Sequence, residues 1–280
     1  MKLLTKLLIA GGIIAAPIIY NRLDFINRAR FSPPAENEKF YGWRYGKIRY
    51  VVYGTGTPLL LIHGIYPGAS LDEWSDISSS ITRNHCVYKL DLLGFGHSDK
   101  PNMSFSAYIY TSLINDFMRD VIGSPTIVVA SDYAAAYAVL GYRMGGKLYR
   151  KLLMIAPAGI SRGHTLPTFK GSLFKFILEL PIIGTFAYRS LVARPIKRKA
   201  FGALRNKRNI AANIPDSLSP SAFVGGPNAR MPIAALISGF LNANIKNSIS
   251  NVHIPMLILS NACYGLSDIL LSKRVVDFVG

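Results

Sequence analysis

Short apolar runs alternate with amphipathic ones along most of this chain, and turn residues separate them. Ile48–Tyr53 reads as a strand closed by the turn Gly54-Thr55-Gly56, and Pro58–Ile62 as a fully apolar strand ending at His63-Gly64. Leu71–Ile81 has helical spacing, and Cys86–Asp91 is the next strand. Tyr108–Ile122 carries apolar residues at helical intervals until Gly123 and Pro125 stop it. Thr126–Ala130 is a β-branched strand that runs through Ser131-Asp132 into the alanine-rich helical stretch Tyr133–Tyr142, and Lys151–Ala156 follows as a strand. From about Gly163 to Asn251 the pattern is helical and irregular; a strand returns at Pro255–Ser260, and a helix is expected near Leu270–Phe278. Strands apolar on both faces, alternating with helices, predict an α/β chain with a mostly parallel sheet covered on both sides.

The first residues break this rhythm. Lys2 and Lys6 precede Leu7–Tyr20, which carries no charge, and counting from Leu3 with Lys6 snorkelling gives 18 positions, close to the roughly 20 that span a bilayer. Residues 1–20 therefore read as a membrane anchor or signal segment, with an uncleaved anchor preferred over a cleaved leader. Arg22, Arg28 and Arg30 follow the run, so the charge rule favours a domain on the cytoplasmic side, secretion being the alternative. The expected organisation is anchor 1–20, linker 21–38 with Pro33-Pro34, core 39–162, helical cap 163–251 and the second part of the core at 252–280.

Composition sharpens the choice of partner. Lys+Arg number 32 against 15 Asp+Glu, a net charge of +17, which attracts anionic surfaces. No nucleic-acid-binding motif accompanies that charge. Cys86 and Cys263 fit no metal spacing and read as two reduced thiols. Neither a metal nor an organic cofactor is expected.

Three motifs stand in order. His63-Gly64 closes an apolar strand, Asp91-Leu92-Leu93-Gly94-Phe95-Gly96-His97-Ser98 follows the next, and Ser131-Asp132 sits between a strand and a helix, the place of a nucleophile elbow. In this order and spacing the chain resembles the α/β-hydrolase superfamily, in the cap-bearing branch that holds esterases, haloalkane dehalogenases and epoxide hydrolases. It is also similar to membrane-anchored bacterial members with degenerate elbows. The resemblance covers roughly residues 40–280 and implies an α/β-hydrolase fold with a helical cap.

The resemblance also implies roles. Placing Asp132 on the nucleophile brings Ile155-Ala156-Pro157 to the family's I-A-P strand end without a gap, and puts Ala130, Ala134 and Ala135 where glycines are usual. The rival register makes Ser131 the nucleophile and sets Tyr133 where a near-glycine residue is needed. An aspartate there attacks carbon and forms an ester intermediate. The backbone N–H groups of Ile65 and Tyr133 would form the oxyanion hole, with His63 and Gly64 in the same pocket loop. Tyr133 replaces the tryptophan common in dehalogenases, and Tyr188 is the one tyrosine in the expected cap. Against catalysis, Asp132 reads equally as a helix cap.

The family's catalytic histidine follows the last strand, whereas His63, His85, His97, His164 and His253 all precede Pro255. His97 and His164 are the substitutes on the correct side of the sheet. Asp268 occupies a frequent acid position in the family; the resemblance leads to the expectation that the last strand and its histidine loop are missing, either because the protein is natively short or because the chain is incomplete. Two function classes follow. One is a hydrolase of small apolar esters or related substrates; the other is a non-catalytic member binding a hydrophobic ligand or partner. Ten basic residues between Leu166 and Ile210, opposed only by Glu179, add an expected membrane-surface contact. The expected ligand is a small apolar or amphiphilic molecule, and the sequence leaves the oligomeric state open.

Overall fold

The computed structural model describes residues 38–75, 79–160, 167–188, 190, 228–259 and 278. Seven strands form one sheet: β1 (Lys39–Trp43), β2 (Gly46–Tyr53), β3 (Thr57–Ile62), β4 (His85–Leu90), β5 (Thr126–Ser131), β6 (Tyr149–Ile155) and β7 (Met256–Leu259). Their order is β1-β2-β4-β3-β5-β6-β7. β1 and β2 pair antiparallel at one edge and β2 meets β4 antiparallel, while β4, β3, β5, β6 and β7 run parallel.

The helices are α1 (Ser79–Asn84), α2 (Ala107–Phe117), α3 (Asp132–Gly145), α4 (Phe169–Glu179), α5 (Ile183–Ala187), α6 (Arg230–Ile237) and α7 (Lys246–Ile249). α2 continues into a π-turn over Met118–Ile122 and ends where Gly123 turns left-handed at φ 71°. The π-turn keeps the chain helical to Ile122, the boundary expected from sequence.

Alternation along the strands divides the core into two layers. Leu60, Ile62, Val128, Ala130, Leu152 and Met154 face α2 and α3, where Tyr110, Phe117 and Tyr137 are buried. Leu59, Leu61, Val87, Ile127, Val129, Leu153 and Ile155 face Trp74 and Ile81 on the other side. Buried on both faces, these strands read in sequence as continuous apolar runs.

One expected helix is shorter than its pattern. Leu71–Ile81 divides into a 3-10 turn, Leu71–Trp74, and α1, which begins at Ser79. Ser70 caps the turn by accepting from the Asp72 N–H at 3.3 Å, and Trp74 buries completely. The apolar spacing that suggested a single helix comes from two short elements that each point residues into the same layer. Between β6 and β7 the described residues form α4–α7 and no strand, with α4 packed on α5 and α6. Residues 1–37, His164, Cys263, Asp268 and residues 270–277 of the expected last helix lie outside the described residues. Among the described residues no helix is long and apolar enough to cross a membrane.

Candidate active site

β5 delivers the elbow. Ser131 is its last residue, extended at φ −107° and ψ 153°, and pairs with Ile155 at the end of β6. One step beyond those paired ends, Asp132 and Ala156 adopt φ 52° and 45° and are the two non-glycine residues with positive φ among the described residues. Left-handed backbone costs a non-glycine residue on the order of 1–3 kcal/mol, and such strain gathers at sites. The Asp132 carbonyl accepts from the Ala158 N–H at 3.2 Å, which ties the two strained strand ends together.

The bend turns the Asp132 carboxylate toward the loop after β3. Its Oδ2 accepts from the Ile65 N–H at 3.3 Å, and the carboxylate also accepts from the N–H of Tyr133. Tyr133 is the second residue of α3, so its N–H is one that a capping side chain reaches; the same carboxylate also reaches a separate loop, which a helix cap alone does not require. Close approach depends on Gly64, where a Cβ would stand 3.2 Å from the Asp132 Cβ and 3.0 Å from the Tyr66 ring. Burial pushes the Asp132 carboxyl above the usual carboxylate range, and the Glu73 charge pushes the same way, against the pull of the two N–H groups.

Glu73, which sequence reasoning missed, organises this corner. Its Oε2 accepts from the Gly64 N–H at 2.9 Å and the Tyr66 hydroxyl at 2.8 Å, and its Oε1 from the Ser131 hydroxyl at 2.5 Å. One carboxylate thus joins the loop of Gly64–Tyr66 to the end of β5. Ser70-Leu71-Asp72-Glu73 matches a capping box, which would have sent Glu73 back to its own turn. The signal that distinguishes the outcomes is the glycine loop arriving beside it. Burial, followed by the Glu73 charge, drives the Tyr66 phenol far above its ordinary value and keeps it neutral.

The remaining motif residues build the frame. The His63 ring is buried; its Nδ1 lies 2.7 Å from the Gly64 carbonyl and its Nε2 accepts from the Leu92 N–H at 3.0 Å. This arrangement assigns the proton to Nδ1 and occupies both ring nitrogens. Asp91, fully buried, takes the N–H groups of Leu71 and His97 and the guanidinium of Arg49. The His97 ring stands 3.6 Å from Glu38. Among the described residues no histidine hydrogen-bonds Asp132, and no group of three or more His, Cys, Asp or Glu side chains forms a metal site. Tyr133 donates its hydroxyl to Asn242 at 3.0 Å and Tyr137 to the Leu241 carbonyl at 2.8 Å, so α3 is stitched to the chain between α6 and α7. Tyr188 is buried.

Structure therefore brings Asp132, Ile65, Tyr133, Gly64 and Ser131 to one place, with His63 bracing the loop from below. An uncharacterized protein of Mycobacterium tuberculosis is 24% identical over 204 residues, covering 68% of this chain and 57% of its own. This chain thus spans little more than half the length of that curated relative. The 2-hydroxy-6-oxo-6-(2'-aminophenyl)hexa-2,4-dienoic acid hydrolase of Metapseudomonas resinovorans is 28% identical over 116 residues, 41% of this chain and 37% of its own. Among solved structures, a serine hydrolase involved in carbazole degradation superposes with a TM-score of 0.58 at 20% identity, covering 80% of this chain and 79% of its own. The model of the alpha/beta hydrolase family matches residues 59–243, more than half of the sequence, and the chain belongs to that family.

Proposed function

We propose that this chain is a hydrolase in which Asp132 is the nucleophile, acting on a small apolar or amphiphilic substrate. The observation that carries the reading is the strained backbone of Asp132 with its carboxylate held by the N–H groups of Ile65 and Tyr133. With Oδ2 held by the Ile65 N–H, Oδ1 attacks an electrophilic carbon, and the leaving group departs with the bonding electron pair. The product is an ester on Asp132. Water then adds to its carbonyl carbon, negative charge develops on Oδ2, and the same two N–H groups stabilise it. Collapse returns the carboxylate and releases the alcohol. Membrane association through residues 3–20 belongs to the same reading and rests on the uncharged run Leu7–Tyr20, and the cytoplasmic side for the domain rests on Arg22, Arg28 and Arg30 after it.

A second reading, a non-catalytic binder of hydrophobic ligands, is favoured by one observation. His63 and His97 are engaged with Gly64, Leu92 and Glu38 rather than with Asp132, so the water of the second step has no histidine base among the described residues. The experiment treats the full chain and Asp132→Asn with alkyl halides, epoxides and activated esters, reading intact mass and product release. An adduct on the wild type that is absent from the variant supports the nucleophile. Turnover that needs Ser131 transfers the role to Ser131. Neither adduct nor turnover favours the binder.

A further inference from the structure

We propose that the apolar face of α4 and α5 docks on an anionic lipid bilayer. Phe169, Leu173, Phe176 and Ile177 are 85%, 51%, 60% and 37% exposed, and Ile183 and Phe186 on α5 are 59% and 43% exposed. The first four recur at intervals that place them on one side of the helix. The helix is not a loose end. Thr168 caps it by accepting from the Gly171 N–H at 3.1 Å, Leu178 on its other side is fully buried, and Phe174 packs on the core. Six large apolar side chains thus stand together in solvent on an otherwise well-seated element, which marks a contact surface rather than scattered exposure.

Charge selects the partner. The chain carries +17, and residues 166–210 contribute ten cations against Glu179 alone. Glu179 is itself paired with Lys175 at 2.6 Å, while Lys170 is exposed on the same helix as the apolar stripe. Apolar side chains with Lys170 beside them, in a stretch of sequence rich in cations, match an interface that offers acyl chains below and negative headgroups around them. The same sequence contains the uncharged run Leu7–Tyr20, which favours the bilayer over a soluble acidic protein as the occupant. Docking there is independent of the chemistry at Asp132.

The test places an indole in the stripe of the full chain with Phe176→Trp. Native Trp43 and Trp74 are 7% and 0% exposed, so they stay shielded. Vesicles of equal parts phosphatidylglycerol and phosphatidylcholine, with brominated acyl chains, are added at low salt. The expected result is a blue shift of the introduced indole and quenching of at least about twofold, with both lost when Phe169→Asp and Ile183→Asp are added, whether or not the chain stays on the vesicle through residues 3–20. Circular dichroism checks that each variant stays folded. Vesicle-bound protein with an unquenched indole overturns the proposal, because the face is then covered by protein, either another segment of this chain or a second copy. Equal quenching by pure phosphatidylcholine overturns it as well, since charge would then play no part.

Discussion

The Ser131 hydroxyl donates to Glu73 Oε1 at 2.5 Å, and the same carboxylate holds the Gly64 N–H and the Tyr66 hydroxyl through Oε2. Ser131 is almost fully buried, and its hydrogen is committed to a carboxylate. Ser131→Ala should therefore leave any Asp132-dependent adduct in place, within about threefold of the wild-type rate, while costing the net worth of one hydrogen bond to a charged group, about 1.5–3 kcal/mol. Adduct mass and urea unfolding of the same variant check both halves.

Removing Glu73 should be worse than neutralising it. Glu73→Ala leaves the buried Gly64 N–H without its acceptor, a loss of about 1–3 kcal/mol, and frees the loop that carries Ile65. Glu73→Gln retains an oxygen for Gly64, and its amide can donate to the Ser131 oxygen once that hydroxyl rotates. The expected order of adduct formation is wild type, then Gln, then Ala, with Ala down about tenfold or more. A glutamine variant as impaired as alanine would mean that the charge of Glu73, not its hold on the loop, is what matters.

The elbow also predicts a conflict between stability and function. The folded Asp132 carboxyl titrates above its unfolded value of about 3.9, so between those two values the folded state binds the proton more tightly and stability falls as pH rises. At neutral pH the ionised group is a standing cost, first through burial and then through Glu73. Asp132→Asn removes the charge, keeps an oxygen for Ile65, and tolerates left-handed backbone better than most residues. Its melting temperature at pH 7 should rise by about 2–4 °C, on the order of 1 kcal/mol, while adduct formation disappears. Scanning calorimetry at pH 7 and pH 4 should show the difference shrinking at the lower pH.

The elements visible in the sequence were those with one physical cause. β3, β5 and β6 are apolar on both faces because both faces are covered, and no other pattern competes in those segments. The elbow was legible because Thr126–Ser131 ends against a helical stretch, and Ile155-Ala156-Pro157 fixes its register; the pairing of Ser131 with Ile155 gives that alignment its physical basis. Glu73 was hidden because its partners Gly64, Tyr66 and Ser131 come from separate segments. His97 looked like a substitute base because it stands in the loop after β4. Only the fold shows Glu38 and Arg49 around it.

Gly96 separates clash from strain. A Cβ there would lie 2.1 Å from the Asp91 carboxyl, at φ 46°, whereas Gly123 has φ 71° and nothing within 4 Å of a Cβ. Gly123→Ala should cost only the backbone strain, about 1–2 kcal/mol. Gly96→Ala must in addition displace the carboxylate that holds Leu71, His97 and Arg49, for a total above about 4 kcal/mol. Urea denaturation of the two variants compares them directly. Equal costs would show that the Asp91 loop yields without loss, and that the D-x-x-G-x-G-x-S spacing is not set by this contact.

His97 should make the fold sensitive to mild acid. An unfolded histidine titrates near about 6.5; in the folded chain burial, followed by the Arg49 charge, holds the ring lower, against the opposing pull of Asp91 and Glu38. As pH falls through about 6.5 the unfolded chain takes a proton that the folded chain refuses, so the stability present above that value is progressively lost. Asp72 works in the opposite direction. Burial and the Asp91 charge raise its carboxyl, so the folded state gains that proton first as pH falls. Subtracting the curve of His97→Asn from that of wild type leaves the histidine together with its own charge coupling to Asp72. The difference in unfolding free energy should be flat above about pH 7.5 and turn against wild type from about pH 6.5 downward; a difference that stays level from pH 8 to pH 5 would remove His97 as the cause.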